Sequence, residues 1–362
     1  MVDASMIDEG FTGALVIDLG AIARNYRHLR DHSAPAECAA VVKADAYGLG
    51  VERVAPRLAR EGCTKFFVAT LAEAEQLRGL VPDASIYVFD GVAGGEAEAL
   101  AAARAIPVLN SLEQIERWGA RGPAVLHVDT GMTRLGLGTA EVRQLAAEPA
   151  RLHGLQIDYI LTHLACADEP GHPLNRSQLA RFDHLRAQLP PAPTSIGNSA
   201  AIFIDEFHRG DLVRPGIALY GGNPFLDRAN PMAPVVTLTG RILQIRAVDE
   251  GLTVGYGATY GVAPPTRLAV VGVGYADGYP RILGNRGAAA IAGRHVPVVG
   301  RVSMDLLTVE VSNVPPAESR AGDWVELIGT EIGLDKVAAA ADTISYEILT
   351  GLGNRLHREY RD

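Results

Sequence analysis

Cysteine is scarce in this chain of 362 residues: Cys38, Cys63 and Cys166 form an odd, widely spaced set with no CxxC pair. Such a set excludes a disulfide framework and a cysteine zinc site, and it points to a reducing compartment. Apolar runs are short, none approaching the roughly 18 to 20 residues that span a bilayer. The N-terminal stretch MVDASMIDEGFTGALVIDLG has neither the basic start nor the apolar core of a secretory leader. A cytoplasmic protein without a membrane partner is expected. Positive charge is also in deficit: 33 basic against 42 acidic residues give a formal charge of -9, which argues against a nucleic-acid backbone as partner. Any anionic ligand must therefore be held by a local site. No HExxH, C2H2 or GxxxxGK[ST] pattern occurs, and His163 and His172 are too loosely placed for a metal pair, so no metal is expected. Lysine is the rarest of the charged residues. Only Lys43, Lys65 and Lys336 stand in a background that otherwise uses Arg.

What is present is a regular alternation. Setting aside a first strand at 14–19, eight short β-branched runs follow at 38–43, 65–70, 85–90, 106–110, 124–130, 155–163, 194–198 and 212–219. Helical patterns lie between them at 51–60, 71–80, 96–104, 112–118, 141–147 and 174–189, the last with Leu179, Phe182 and Leu185 on one face. This predicts an α/β protein with an N-terminal (β/α)8 TIM-like barrel over residues 10–234, rather than an open doubly wound sheet. The Pro-rich stretch NPFLDRANPMAP breaks the pattern. Residues 235–362 then read as a C-terminal, mainly β domain with helical patterns only at 335–341 and 343–351, and strand 14–19 is free to join it.

In a barrel of this kind active-site groups sit at the C-terminal strand ends. Lys43 ends the first barrel strand, Asp129 and Arg134 follow the fifth, Thr162 and His163 end the sixth, Asn198 and Ser199 the seventh, and Arg214 the eighth. Any one of these is as readily a solvated strand end; together they converge on one rim. Phosphate in this fold often rests on the loops after strands seven and eight, here Asn198-Ser199-Ala200 and Gly216-Ile217. A lone lysine beside a phosphate site is what a Schiff-base lysine needs, because desolvation and neighbouring cations free its amine for nucleophilic attack. Pyridoxal 5'-phosphate is the cofactor that uses both. In the second domain GVGYADGYPR carries Tyr275, Asp277 and Tyr279, and GRVSMD carries Ser303 to Asp305. Aromatic residues beside glycine in a β domain are more often core or turn packing, and the residue types alone leave their role open.

The segments VIDLGAIARNY, VVKADAYGLG, HVDTGMTRLG, LTHLACAD, GNSA, LVRPGIALYG, VGYGATY, VGYADGYPR and VPVVGRVSMD, in that order, resemble the alanine racemase family over nearly the whole chain. The resemblance implies a pyridoxal-phosphate-dependent amino-acid racemase, an isomerase that interconverts L- and D-alanine with two bases and supplies D-alanine for peptidoglycan. It implies that Lys43 holds the cofactor and serves one face of the substrate Cα. Tyr275 would serve the other face, and in the family that tyrosine comes from the partner subunit of a homodimer. Arg214 would face the pyridine nitrogen. Tyr47, Ser199, Gly216 and Ile217 resemble the phosphate contacts, with Asn198 in the same loop. Arg134 and the backbone at Met304 resemble the substrate-carboxylate contacts, and Asp305 supports them. His163 would lie beside Tyr275 and Arg214, where a cationic neighbourhood lowers a phenol pKa.

Two positions depart from the family pattern. His127 stands where several members carry a carbamylated lysine that orients the arginine, and Asn354 stands where many place a tyrosine near the substrate entrance. Alanine is the default substrate, with serine or a broader range as the alternative. A decarboxylase of the same two-domain architecture is the nearest rival, yet its second-domain cysteine is absent here and its acidic pyridine partner is replaced by Arg214. A zinc-dependent relative would need a His/Cys cluster in a domain that holds only His295 and His357, and a barrel-only cofactor carrier would lack the domain after Pro234.

Overall fold

The computed structural model describes residues 10–204 and 209–362. Residues 1–9 of the stretch read for a leader, and 205–208 within the barrel span, lie outside the described residues. The chain divides into two units, one of residues 22–219 and 223–232, the other of 1–21, 220–222 and 233–362.

In the first unit, β2 (Glu37–Cys38), β3 (Ala40–Val41), β4 (Lys65–Val68), β5 (Ser85–Val88), β6 (Ala105–Leu109), β7 (Pro123–His127), β8 (Gln156–Leu161), β9 (Thr194–Asn198) and β10 (Leu212–Arg214) form one parallel sheet. β2 pairs with β10 and β3 with β4, so the first barrel strand, interrupted at Ala39, closes the ring at both edges. The staves are short because apolar runs such as KFFV and AIPVL are buried along almost their whole length. Phe67 stacks on Tyr87 with ring centroids 4.6 Å apart, and both rings are buried. The expected last strand, 212–219, stops at Arg214 because Pro215-Gly216 cannot continue the ladder; a short 3-10 turn at Ile217–Tyr220 follows.

Crossover helices occupy Val51–Arg60, Leu71–Leu80, Ala97–Ala102, Leu112–Trp118, Thr139–Ala147 and Pro173–Arg186. The buried stripe of the last is Asn175, Gln178, Phe182 and Leu185; Leu179 lies beside it rather than on it. A helix not expected from the pattern, Leu19–Ser33, precedes the barrel with Ile22, Tyr26 and Leu29 buried at helical spacing.

The second unit is built on a long strand, β11 (Val236–Val248). Its first half pairs with β1 (Gly13–Asp18), which in turn lies parallel to a C-terminal strand His357–Arg361. The second half of β11 turns to pair with Thr266–Val271, itself paired with Leu307–Glu310. Two short helices, Leu334–Ala340 and Ser345–Thr350, are the only α-helices that begin in the described residues of this unit after 233.

Candidate active site

Lys43 leaves the barrel on an unusual backbone. Ala44, Asp45, Ala46 and Tyr47 all sit in the left-handed region, with φ of 52, 54, 54 and 57. Each such residue costs about 1–2 kcal/mol relative to the right-handed form, so the turn must be held from outside. Glu73 does part of this. Its carboxylate accepts from the N–H of Ala44 and of Ala69, both at 2.7 Å, while Thr70 caps the same helix through Glu73 N. Asp45 Oδ1 accepts from Val51 N at 2.7 Å and starts the next helix. The Lys43 ammonium lies over the Phe89 ring, 5.7 Å from its centre. Burial, then the nearby Arg134 cation, push its pKa below the ordinary lysine value; Glu73 and Asp90 pull weakly the other way.

Tyr47 brings the end of that turn to the loops after β9 and β10. A Cβ at Gly216 would fall 2.2 Å from the Tyr47 hydroxyl oxygen, so glycine alone lets the backbone come this close. Ser199 Oγ accepts from Gly216 N at 2.9 Å and, more weakly, from Ala218 N. Asn198 Oδ1 accepts from Ala201 N and fixes the loop that carries Ser199. The Tyr47 and Ser199 hydroxyls thus meet at a glycine without side-chain bulk, chemistry suited to a phosphate.

Arg214 is buried. Its Nη1 donates to Ser195 Oγ at 2.6 Å and its Nη2 to Thr162 O at 2.9 Å, which leaves Nε without an acceptor among the described residues. Burial pushes the guanidinium down to about 9, still charged at neutral pH. The Nε–H is suited to an aromatic ring nitrogen that accepts a hydrogen bond. His163 is held down to about 3 by burial, then by Arg214 and Arg134, so it is a neutral imidazole and the positive charge of this neighbourhood rests on its cationic neighbours.

The loop bearing Arg134 is ordered from below. Asp129 Oδ1 accepts from the N–H of Gly131, Met132 and Thr133 at 2.9, 3.0 and 3.1 Å. A Cβ at Gly136 would lie 3.2 Å from the His127 ring, and Leu137 N donates to His127 O at 2.7 Å, so the loop rests on His127. His127 Nδ1 meets Asn110 Oδ1 at 2.7 Å, which makes Nδ1 the protonated nitrogen of the ring. Burial and Arg214 push its pKa down to about 4. Where several members of the family it resembles carry a carbamylated lysine, the support here is an uncharged imidazole held by an amide.

Several supports carried no distinct sequence signal. Asn110, Ser195 and Glu73 look like ordinary surface polar residues. Gln178 is different, for its amide bonds His163 O, Thr130 Oγ1 and Ala165 N from within the apolar stripe of its helix. A polar residue on a buried helical face was the available signal.

Tyr275 and Met304 belong to the second unit. Tyr275 begins a 3-10 turn, is 41% exposed and lines a cleft of ≈ 400 Å³ with Tyr256, Arg281, Arg301 and Ser303. Ala276 N donates to Met304 O at 2.9 Å, and the N–H of Met304 has no acceptor among the described residues. Asp305 pairs with Arg355 at 2.7 Å. Among the described residues no group of His, Cys, Asp or Glu could hold a metal ion, and no helix is long and apolar enough to cross a membrane.

Residues 17–224 match the family described as alanine racemase, N-terminal domain, and residues 235–360 match its C-terminal domain. A protein of Rhodospirillum rubrum named alanine racemase is 49% identical over 358 residues, 96% of each chain. The solved alanine racemase of Bartonella henselae, described with covalently bound pyridoxal phosphate, superimposes with a TM-score of 0.92 at 42% identity, covering 96% of this chain and 99% of its own. The biosynthetic alanine racemase of Pseudomonas aeruginosa gives 0.91 at 36% identity, covering 97% and 100%.

Proposed function

Since the chain belongs to the alanine racemase family over both of its units, we propose that it interconverts L- and D-alanine with Lys43 and Tyr275 as its two proton-transferring groups. It is a pyridoxal-phosphate-dependent amino-acid racemase, and its substrate is a small molecule. The observation that carries the residue assignment is the half-buried Lys43 amine, its pKa pushed below the ordinary lysine value, on a turn whose far end, Tyr47, meets the Gly216 cradle.

Pyridoxal phosphate, when bound, supplies the electron sink that makes the substrate Cα–H acidic. Tyr47, Ser199, Gly216 and Ile217 would hold its phosphate, with Asn198 shaping the loop, and Lys43 would hold the cofactor through its amine. Arg214, which keeps its own proton, would donate a hydrogen bond to the ring nitrogen and favour its unprotonated form. His163 stands beside it as a neutral ring. Arg134 and the Met304 N–H hold the substrate carboxylate, with Asp305 behind them. Racemisation removes a proton from one face of Cα and returns one to the other, so it needs an acid/base group on each side. Lys43 and Tyr275 supply these, and each such group is typically worth about 10²- to 10⁴-fold.

A homodimer in which Tyr275 serves the barrel of a second copy completes the reading. It is supported by the exposure of Tyr275, Tyr256 and Met304, large apolar side chains of the second unit. The compartment is the cytoplasm, and the product D-alanine serves cell-wall peptidoglycan.

The test is to add L-alanine in D₂O to the cofactor-loaded protein. Loss of the α-proton together with D-alanine formation is expected. Exchange with retained chirality would remove Tyr275 as second base, and no exchange with alanine would move the activity to another amino acid. Lys43→Ala is expected to lose the visible cofactor band, whereas Tyr275→Phe keeps the band and loses racemisation. An active monomer in sedimentation would overturn the shared-site dimer.

A further inference from the structure

We propose that Arg355 is a positioning residue that fixes the aim of Tyr275, an inference that rests on the reading of Tyr275 as one of the two bases. Tyr275 starts a 3-10 turn, and its ring is partly exposed. What fixes the backbone beneath it is a set of hydrogen bonds on two sides. Tyr275 N donates to Ser303 O at 3.0 Å and Ala276 N to Met304 O at 2.9 Å, which ties the turn to the Ser303–Leu306 turn. That second turn is closed by Ser303 N and Ser303 Oγ, both donating to Leu306 O at 2.8 Å. On the other side, Gly353 N donates to Asp277 O at 3.0 Å, which ties the turn to the C-terminal segment.

Asp277 and Arg355 join the three pieces. The Asp277 carboxylate is buried, and its Oδ2 accepts from Gly274 N at 2.9 Å, closing the turn around Tyr275. Its Oδ1 faces Arg355 Nε at 3.0 Å. Arg355 Nη1 reaches Asp305 Oδ1 at 2.7 Å, one residue beyond Met304. A single guanidinium therefore spans the turn carrying the phenol and the turn carrying the Met304 N–H. Its planar fork can satisfy two carboxylates at once, whereas an ammonium is a point charge on a flexible stem. A buried carboxylate also requires a partner, so the pair at Asp277 is obligatory while the limb to exposed Asp305 sets the spacing between the two turns. Arg355 touches no reacting atom in this scheme; it acts through Tyr275 and Met304.

The test separates aiming from folding by following the α-proton. Lys43 can remove and return a proton on its own face without help from the phenol, giving deuterium exchange with retained chirality in the enantiomer that presents Cα–H to Lys43. Racemisation requires both groups. In Arg355→Ala, assayed as the cofactor-loaded enzyme in D₂O, racemisation is expected to fall at least 10-fold. Exchange with retention in one enantiomer, and the visible cofactor band, should stay within about 2-fold of wild type. Arg355→Lys, which keeps the charge and loses the fork, should fall between the two, and Asp305→Asn should weaken substrate KM more than the retained exchange. Tyr275→Phe serves as the reference. If it loses racemisation while Arg355→Ala and Arg355→Lys racemise at the wild-type rate, the positioning role is overturned and the base stands. If Arg355→Lys loses exchange, racemisation and the cofactor band together, Arg355 is a folding residue and the proposal fails. If Tyr275→Phe itself racemises normally, the base assignment falls and the positioning role falls with it.

Discussion

Acid sensitivity is a direct consequence of how Arg134's loop is supported. His127 is buried, and its pKa is held to about 4 against an ordinary 6.5. As pH falls below 6.5 the unfolded chain takes up a proton at this ring while the folded chain does not. The unfolded state then binds more protons, so the contribution of His127 to stability is complete above pH 6.5 and is lost as pH falls towards 4. At about 1.36 kcal/mol for each pH unit, the full loss is about 3 kcal/mol, of which about 2 kcal/mol falls between pH 7 and pH 5. His163, held to about 3, acts in the same direction. The perturbation is His127→Gln, whose amide can still donate to Asn110 Oδ1 but takes no proton in this range. Urea unfolding of wild type and variant at pH 7 and pH 5, followed by fluorescence of buried Trp118, gives the comparison. The drop between the two pH values should be smaller in the variant by about 2 kcal/mol. An equal drop in both proteins would show that the folded imidazole titrates normally and would refute the picture of a neutral support.

Gly216→Ala places a Cβ 2.2 Å from the Tyr47 hydroxyl oxygen; the resulting overpacking of about 1–3 kcal/mol should weaken pyridoxal phosphate binding roughly 10- to 100-fold, read by titration of the visible band. Glu73→Gln leaves one amide oxygen where two carboxylate oxygens now accept from Ala44 N and Ala69 N; unfolding free energy should fall by about 1–3 kcal/mol in urea titration. Asp129→Ala removes the acceptor for three N–H groups beneath Arg134; KM for alanine should rise at least ~10-fold while the cofactor band stays unchanged.

The barrel was legible because a parallel sheet covered on both faces writes its strands as short apolar runs between helical patterns. The last strand was read too long, since Ile217 to Leu219 are as apolar as strand residues and only Pro215-Gly216 marks the stop. Helix Leu19–Ser33 was missed although Ile22, Tyr26 and Leu29 follow helical spacing. His357–Arg361 was not legible: HREYR is half-buried throughout and has no alternation, because its place beside β1 is set by pairing rather than by an apolar face. Lys43, Arg214 and Ser199 stand out as candidates in the sequence because they are polar residues at the ends of apolar runs. Their supports do not, since the use of Glu73 or Asn110 depends on partners 29 and 17 residues away. The left-handed turn at 44–47 was equally hidden. It contains no glycine, so nothing local announces it.

The electrostatics of the barrel site explain why so much neutral support surrounds so few charges. Lys43, Arg134 and Arg214 lie near enough for Arg134 to lower the Lys43 pKa and for Arg214 to hold both His127 and His163 uncharged. Within a chain of net charge -9, this is a local concentration of cations. An ionised lysine derivative at position 127 would offset part of that charge permanently; a neutral imidazole does not. On the proposed assignment the positive site is instead balanced by its ligands, a phosphate on the Ser199–Gly216 cradle and a carboxylate on Arg134, each of which would be bound more tightly in a buried, water-poor setting. Anion binding in turn favours the protonated state of Lys43 and His163. Burial and Arg134 already push the Lys43 pKa down, so anions arriving in the site act against that shift, and the proton affinity of the Lys43 amine is coupled to occupancy of the site rather than fixed by the fold alone.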